Sequence, residues 1–136
     1  MSLPYSALAA WQQRAIVDVC ARHLLTWHGL RSLSPEDPAY IGHYGGDQQH
    51  RDSAYHQGTV WSWLIGPFAR AHLCVYGNPA LARSFLMPLI CHLEDHGVGS
   101  ISEIFDGDPP FTPRGCIAQA WSVAEVLRAW QATMDG

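Results

Sequence analysis

Residues 99–116 read GSISEIFDGDPPFTPRGC and set three carboxylates, Glu103, Asp106 and Asp108, among Ile101, Ile104 and Phe105. Carboxyl groups with apolar neighbours suit hydrolysis of a glycosidic bond. One acid protonates the leaving oxygen, and a second carboxylate activates water or attacks the anomeric carbon. The same three acids also suit a polar loop, and Asp106-Gly107 is a good turn pair. A second stretch, residues 29–68, gathers Arg31, Tyr44, Asp47, Arg51, Asp52, Tyr55, His56, Gln57, Trp61 and Trp63. Groups that fork onto vicinal hydroxyls, beside aromatic faces that stack on the C–H face of a pyranose, suit a polyol ligand. The plainer reading makes Tyr55 and the tryptophans core residues and pairs Arg31 and Arg51 with Asp47 or Asp52.

The elements that must position these groups read as helices. Residues 4–27 carry apolar side chains on two faces: Leu8, Trp11, Ala15 and Val19 on one, Ile16, Cys20 and Leu24 on another. That pattern predicts a helix buried on two sides. Residues 28–58 are rich in Gly, Ser, Pro, Asp and His, show no sustained period, and predict a long loop. Thr59 is a candidate N-cap for a helix with Trp61, Leu64, Ile65, Phe68, His72 and Val75 at spacings of three and four. Gly77 should end that helix, and Asn78-Pro79 should cap and open the next. This second helix should run to about His96, bent at Pro88. A glycine- and proline-rich loop is expected over 97–115 and a last helix over 116–132, with Val123, Val126, Leu127 and Trp130 on one face and Ile117, Ala120 and Trp121 on another. No run alternates long enough to predict a strand, so the expected class is all-α. Helices apolar on two sides belong in a double layer; a four-helix bundle is the plainer alternative.

Composition narrows the partners. The 136 residues suit one compact domain. With 48% hydrophobic and 15% charged residues, a disordered tail is excluded and a partly covered surface is expected. Twelve acidic against eight basic residues, with no basic cluster, give no support to nucleic acid or an anionic membrane as partner. Cys20, Cys74, Cys91 and Cys116 lack zinc spacing and read as buried, reduced hydrophobes. The His92/His96 pair has no HExxH or cysteine set beside it, so neither metal nor cofactor is expected. No secretory signal is evident, and the most apolar stretch, 60–76, is interrupted by Pro67, Arg70 and His72. The expectation is a soluble cytoplasmic protein.

The segments GLRSLSPEDPAY, AYHQGTVWSWLIGPF, SEIFDGD and PRGCIAQAWSVAEVLRAW together resemble the C-terminal part of the glycogen-debranching enzyme family, its amylo-α-1,6-glucosidase domain. The resemblance covers nearly the whole chain, most specifically residues 29–68 and 99–130. It implies an (α/α)6 toroid, of which about four helices with long loops would be present, and an inverting hydrolysis of α-1,6 branch stubs. It implies that Glu103 is the general base, that Tyr55, His56, Gln57, Trp61 and Trp63 line the sugar pocket, and, less specifically, that Arg31 and Asp106 join them. The implied partner is an α-glucan, glycogen or limit dextrin. Two positions depart from the pattern: Ser62 stands where proline is expected, and Phe111 where histidine is more usual, which leaves substrate preference open. The family's general acid, an aspartate, lies upstream of the segments matched here. The reading is therefore of residues 1–136 as a single C-terminal fragment, inactive alone, that forms a homo-oligomer or associates with the missing part of its domain. A carbohydrate-binding or interaction module without chemistry is the competing function.

Overall fold

The computed structural model describes residues 5–134. Its helices are α1 (Ala10–His23), α2 (Gln48–Ala54), α3 (Ile65–Tyr76), α4 (Pro79–Ser84), α5 (Met87–Asp95) and α6 (Ala120–Ala132). Between them lie four two-residue strands, β1 (Leu30–Arg31), β2 (Val60–Trp61), β3 (Ile104–Phe105) and β4 (Pro113–Arg114). The strands form one antiparallel sheet in the order β1-β2-β3-β4. This sheet overturns the expected all-α, partial (α/α)6 toroid. Two residues are too few to display a period of two, so the strands exist through their pairing rather than through any local pattern.

The register does the positioning. Trp61 pairs with Leu30 on one side and Ile104 on the other, while Phe105 pairs with Val60 and Pro113. Pro113 lies on the edge strand, where a missing N–H leaves no ladder bond unmade. Both loops expected at 28–58 and 97–115 are therefore stitched together through β2. The first of them also holds α2, which Asp47 caps by accepting from the His50 N–H at 3.0 Å.

Helix punctuation follows the sequence in the middle of the chain. Gly77 closes α3 in the left-handed conformation with φ 62°, and the Asn78 side chain accepts from the Leu81 N–H at 3.0 Å to start α4. Pro88 breaks the expected single helix into α4 and α5 instead of bending it; it occupies the first turn of α5, where no N–H is needed. Two boundaries move because pairing wins over propensity. Thr59 caps nothing; its hydroxyl donates to the Tyr55 carbonyl at 2.6 Å, and Val60 and Trp61 enter the sheet before a 3₁₀ turn, Ser62–Leu64, leads into α3. The final helix begins at Ala120, after Glu103 N–H has bonded the Cys116 carbonyl and Gln119 N–H the Ile101 carbonyl.

The core joins helices to sheet. Val17 of α1, Ile65, Phe68 and Ala69 of α3, Leu86 and Leu89 around α5, and Val126 and Ala129 of α6 pack with Val60, Ile101 and Phe105. The first helix is shorter than expected, and residue 4 lies outside the described residues. It is buried on one line only: Trp11 is 72% and Val19 54% exposed, so the face read as Leu8, Trp11, Ala15 and Val19 is open. The cysteines also differ from expectation. Cys74, Cys91 and Cys116 are exposed and Cys20 half-buried, all as free thiols. No helix among the described residues is long and apolar enough to cross a membrane.

Candidate active site

Glu103 ends the segment that enters β3, and it is only 8% exposed. Its Oε1 accepts from the Tyr55 hydroxyl at 2.5 Å, and its Oε2 accepts from the Cys116 N–H at 2.9 Å. Burial pushes the carboxyl pKa up. The Tyr55 hydroxyl, the Cys116 N–H and thiol and the Gln119 side chain together outweigh burial and hold it below its ordinary 4.5. Glu103 is therefore ionised at neutral pH. Burial first, and then the adjoining carboxylate, keeps the Tyr55 phenol protonated far into the alkaline range.

The backbone around this carboxylate is shaped to admit it. Gly115 sits at φ 68°, and a Cβ there would lie 2.4 Å from Glu103 Oε2. Any other residue would strain the turn and push into the carboxylate. Tyr55 is fixed from the other side, because its carbonyl accepts from both the Thr59 hydroxyl and the Trp61 indole N–H, the latter at 3.2 Å.

Aromatic rings extend from Tyr55 into a groove. Tyr55 meets His56 at 4.8 Å and Trp61 at 4.9 Å between ring centroids, both edge-on. His56 and Trp61 stack with planes 4° apart. Trp121 of α6 approaches Trp61 at 6.3 Å and Trp63 at 6.1 Å. Ser32, His56, Trp61, Trp63, Leu64 and Trp121 line a cavity of about 390 Å³ that is mostly apolar. A groove of this size with few polar groups suits a small ring-shaped ligand.

Of the residues singled out from sequence, Glu103, Tyr55, His56, Trp61 and Trp63 come together here. The other three do not. The Gln57 side chain is exposed, and its carbonyl accepts from the Ile41 N–H at 2.6 Å. Arg31 donates from Nε to the Gly107 carbonyl at 2.8 Å and lies over the Phe111 ring. Asp106 is buried and accepts from Arg114 at 3.0 and 3.2 Å and from the Tyr44 N–H at 2.8 Å, with His43 at 3.3 Å. Asp106 thus pins the 40–46 segment to the β3–β4 hairpin. The pairing of Arg31 or Arg51 with Asp47 or Asp52 is replaced as well: Arg51 donates to the Gly46 carbonyl and Asp47 takes His50.

Sequence reasoning missed Trp121, Gly115, Cys116 and Gln119 as site residues. Trp121 belonged to an apolar helix face and read as core. The other three precede α6 and had no signal beyond membership of the PRGC segment.

Tyr55→Phe isolates the strongest of the bonds that lower the Glu103 pKa. Its loss should raise that pKa, read as the carboxyl carbon shift against pH. A bond to a charged acceptor contributes about 1.5–3 kcal/mol. Because the folded pKa lies below the ordinary one, this stabilisation is present above the ordinary value and is lost as pH falls through the folded one. The stability gap between wild type and Tyr55→Phe should accordingly be largest at neutral pH and close in acid. An unchanged Glu103 titration would contradict this assignment.

A protein-family model described as amylo-alpha-1,6-glucosidase matches residues 1–128.

Proposed function

The chain belongs to the amylo-α-1,6-glucosidase family and is a domain related to glycogen-debranching enzymes, and on that premise we propose that Glu103 is the general base in hydrolysis of α-1,6-glucosidic branch stubs, with the tryptophan groove holding the glucan. The observation that carries this reading is the buried, ionised Glu103 joined through Tyr55 to the aromatic groove.

An inverting hydrolysis places a base on one face of the sugar ring to take a proton from water as it attacks the anomeric carbon. An acid on the opposite face protonates the departing oxygen, about 6.5–9.5 Å from the base. A depressed pKa keeps Glu103 in the form that accepts that proton. The two acids that follow it in the same loop are already engaged: Asp106 by Arg114, and Asp108 by the Tyr40 hydroxyl at 2.9 Å. Neither of these two therefore serves as the acid, which the proposal takes from the upstream part of the family's domain.

Trp121 gives the test of the groove. It is 49% exposed and touches the other two tryptophans, so Trp121→Ala should leave the fold intact. Loss of one stacking face should weaken binding of a branched limit dextrin by about 0.5–1.5 kcal/mol, roughly two- to tenfold in Kd. Isothermal titration of the wild-type and variant chains measures it. Unchanged affinity would remove the groove from the glucan site.

The self-associating reading rests on a separate observation, the exposed apolar side chains Leu8, Trp11, Ile16 and Val19 on and before α1 and Leu127 on α6. Faces of this kind favour association. Sedimentation at micromolar concentration should give a dimer or larger species, and a monomer would set this reading aside.

A further inference from the structure

Ser102, immediately before Glu103, is fully buried and held at three atoms. Its N–H donates to His92 Nε2 at 3.4 Å, its hydroxyl lies 3.1 Å from the same nitrogen, and its carbonyl accepts from the Ser62 hydroxyl at 2.7 Å. A backbone N–H can only donate. Nε2 must therefore offer a lone pair, which puts the ring proton on Nδ1 and makes His92 neutral. His92 is 3% exposed, with its ring edge-on to Phe105 at 4.9 Å.

None of these three residues lines the tryptophan groove or touches the Glu103 carboxylate, yet the peptide they hold is the one from which Glu103 extends. We propose that His92 is a positioning residue: as a neutral acceptor it clamps Ser102 against Ser62, and so fixes the backbone that aims the Glu103 carboxylate at Tyr55 and Cys116. Protonation of His92 removes the acceptor and releases one side of the clamp. The relevance to hydrolysis rests on the reading of Glu103 as base; the clamp itself does not.

The charged and titratable groups that face His92 decide when this happens. His28, on the segment before β1, has its ring centroid 6.0 Å away, and His96, at the end of α5, 5.9 Å away. Burial, then the two histidines, disfavour the imidazolium, while Asp95 of α5 favours it, with a net pKa below the ordinary 6.5. The clamp is therefore closed at neutral pH and opens on acidification below the ordinary imidazole range. Glu103 titrates below its own ordinary 4.5, held there by its hydrogen-bond donors.

The test follows both groups by NMR on the full chain, labelled in the glutamate carboxyl carbon and the histidine ring nitrogens. At neutral pH, Nε2 of His92 should show the shift of an unprotonated acceptor. The Glu103 carboxyl should show two inflections, its own and a second at the pH where His92 titrates. His92→Gln supplies an amide oxygen that accepts from Ser102 N–H but does not titrate. It should keep the first inflection of Glu103 and abolish the second, which a merely structural histidine would not do. A Glu103 carboxyl blind to His92 titration, or a second inflection that survives in His92→Gln, overturns the proposal. Should that variant not fold, the wild-type titration decides by itself: coincident inflections support the clamp, independent ones end it. Hydrolysis by Glu103→Gln reports separately on the base, so failure of either reading is recognised without the other.

Discussion

Phe105→Ala is expected to destabilise the chain by about 3–5 kcal/mol, the usual range for emptying a buried aromatic site. Phe105 is completely buried, stacks on His28 at 4.4 Å, meets His92 edge-on, and pairs through its backbone with Val60 and Pro113. Few neighbours can move in to fill the space, because both flanking strands are tied into the same sheet. Domains of this size have roughly 5–15 kcal/mol in total, so the loss would take a large share of it and lower the melting temperature by roughly 10–20 °C. Urea and thermal melts followed by circular dichroism measure the effect. Leu127→Ala, at a site 63% exposed, should change stability by less than about 0.5 kcal/mol. A Phe105→Ala loss no greater than that control would show that the hairpin does not anchor the core.

Phe105 also illustrates what could and could not be read from the chain. It stood out as an apolar residue among acids, but nothing local marked it as a strand residue. Its partner Val60 lies 45 positions before it, and pairing at such range leaves no trace in a window of neighbours. Residues whose structure is settled locally were legible. Gly77, Asn78 and Pro79 end one helix and start the next as their chemistry requires. Trp61 was not legible as a strand residue, since Trp61 and Leu64 also fit a helical period. The site divides the same way. Glu103, Tyr55, His56, Trp61 and Trp63, drawn from two distant segments, lie side by side. Asp106 lies apart from this group; a buried aspartate paired with an arginine and a substrate-binding one look alike in sequence until Arg114 is seen beside it.

Glu103→Gln should abolish debranching while sparing the fold. An amide cannot take the proton from water, and general base catalysis contributes about 10²–10⁴ in rate. The fold should survive because the replacement can satisfy the same partners. Its oxygen can accept from the Cys116 N–H, and its amine can donate to the Tyr55 hydroxyl, which turns from donor to acceptor. The assay is glucose release from a branched limit dextrin by the chain supplied with the acid-bearing part of the family's domain. The chain alone should release none. Asp108→Asn is the control, since Asp108 is exposed and bonded to Tyr40, and it should stay near wild type. Undiminished release by Glu103→Gln would refute the assignment of the base.

Chemical rescue tests the role of Glu103 most directly. Glu103→Ala removes the base and leaves room where the carboxylate stood, beside Gly115. Azide is already an anion, so it can attack the anomeric carbon without a base while the acid still protonates the leaving oxygen. In the same reconstituted assay, Glu103→Ala should be silent in buffer. It should recover turnover as azide is added, giving a glucosyl azide inverted at the anomeric carbon. Hydrolysis by Glu103→Ala at the wild-type rate without azide, or silence at every azide concentration from a folded variant that still binds the dextrin, would contradict Glu103 as the general base.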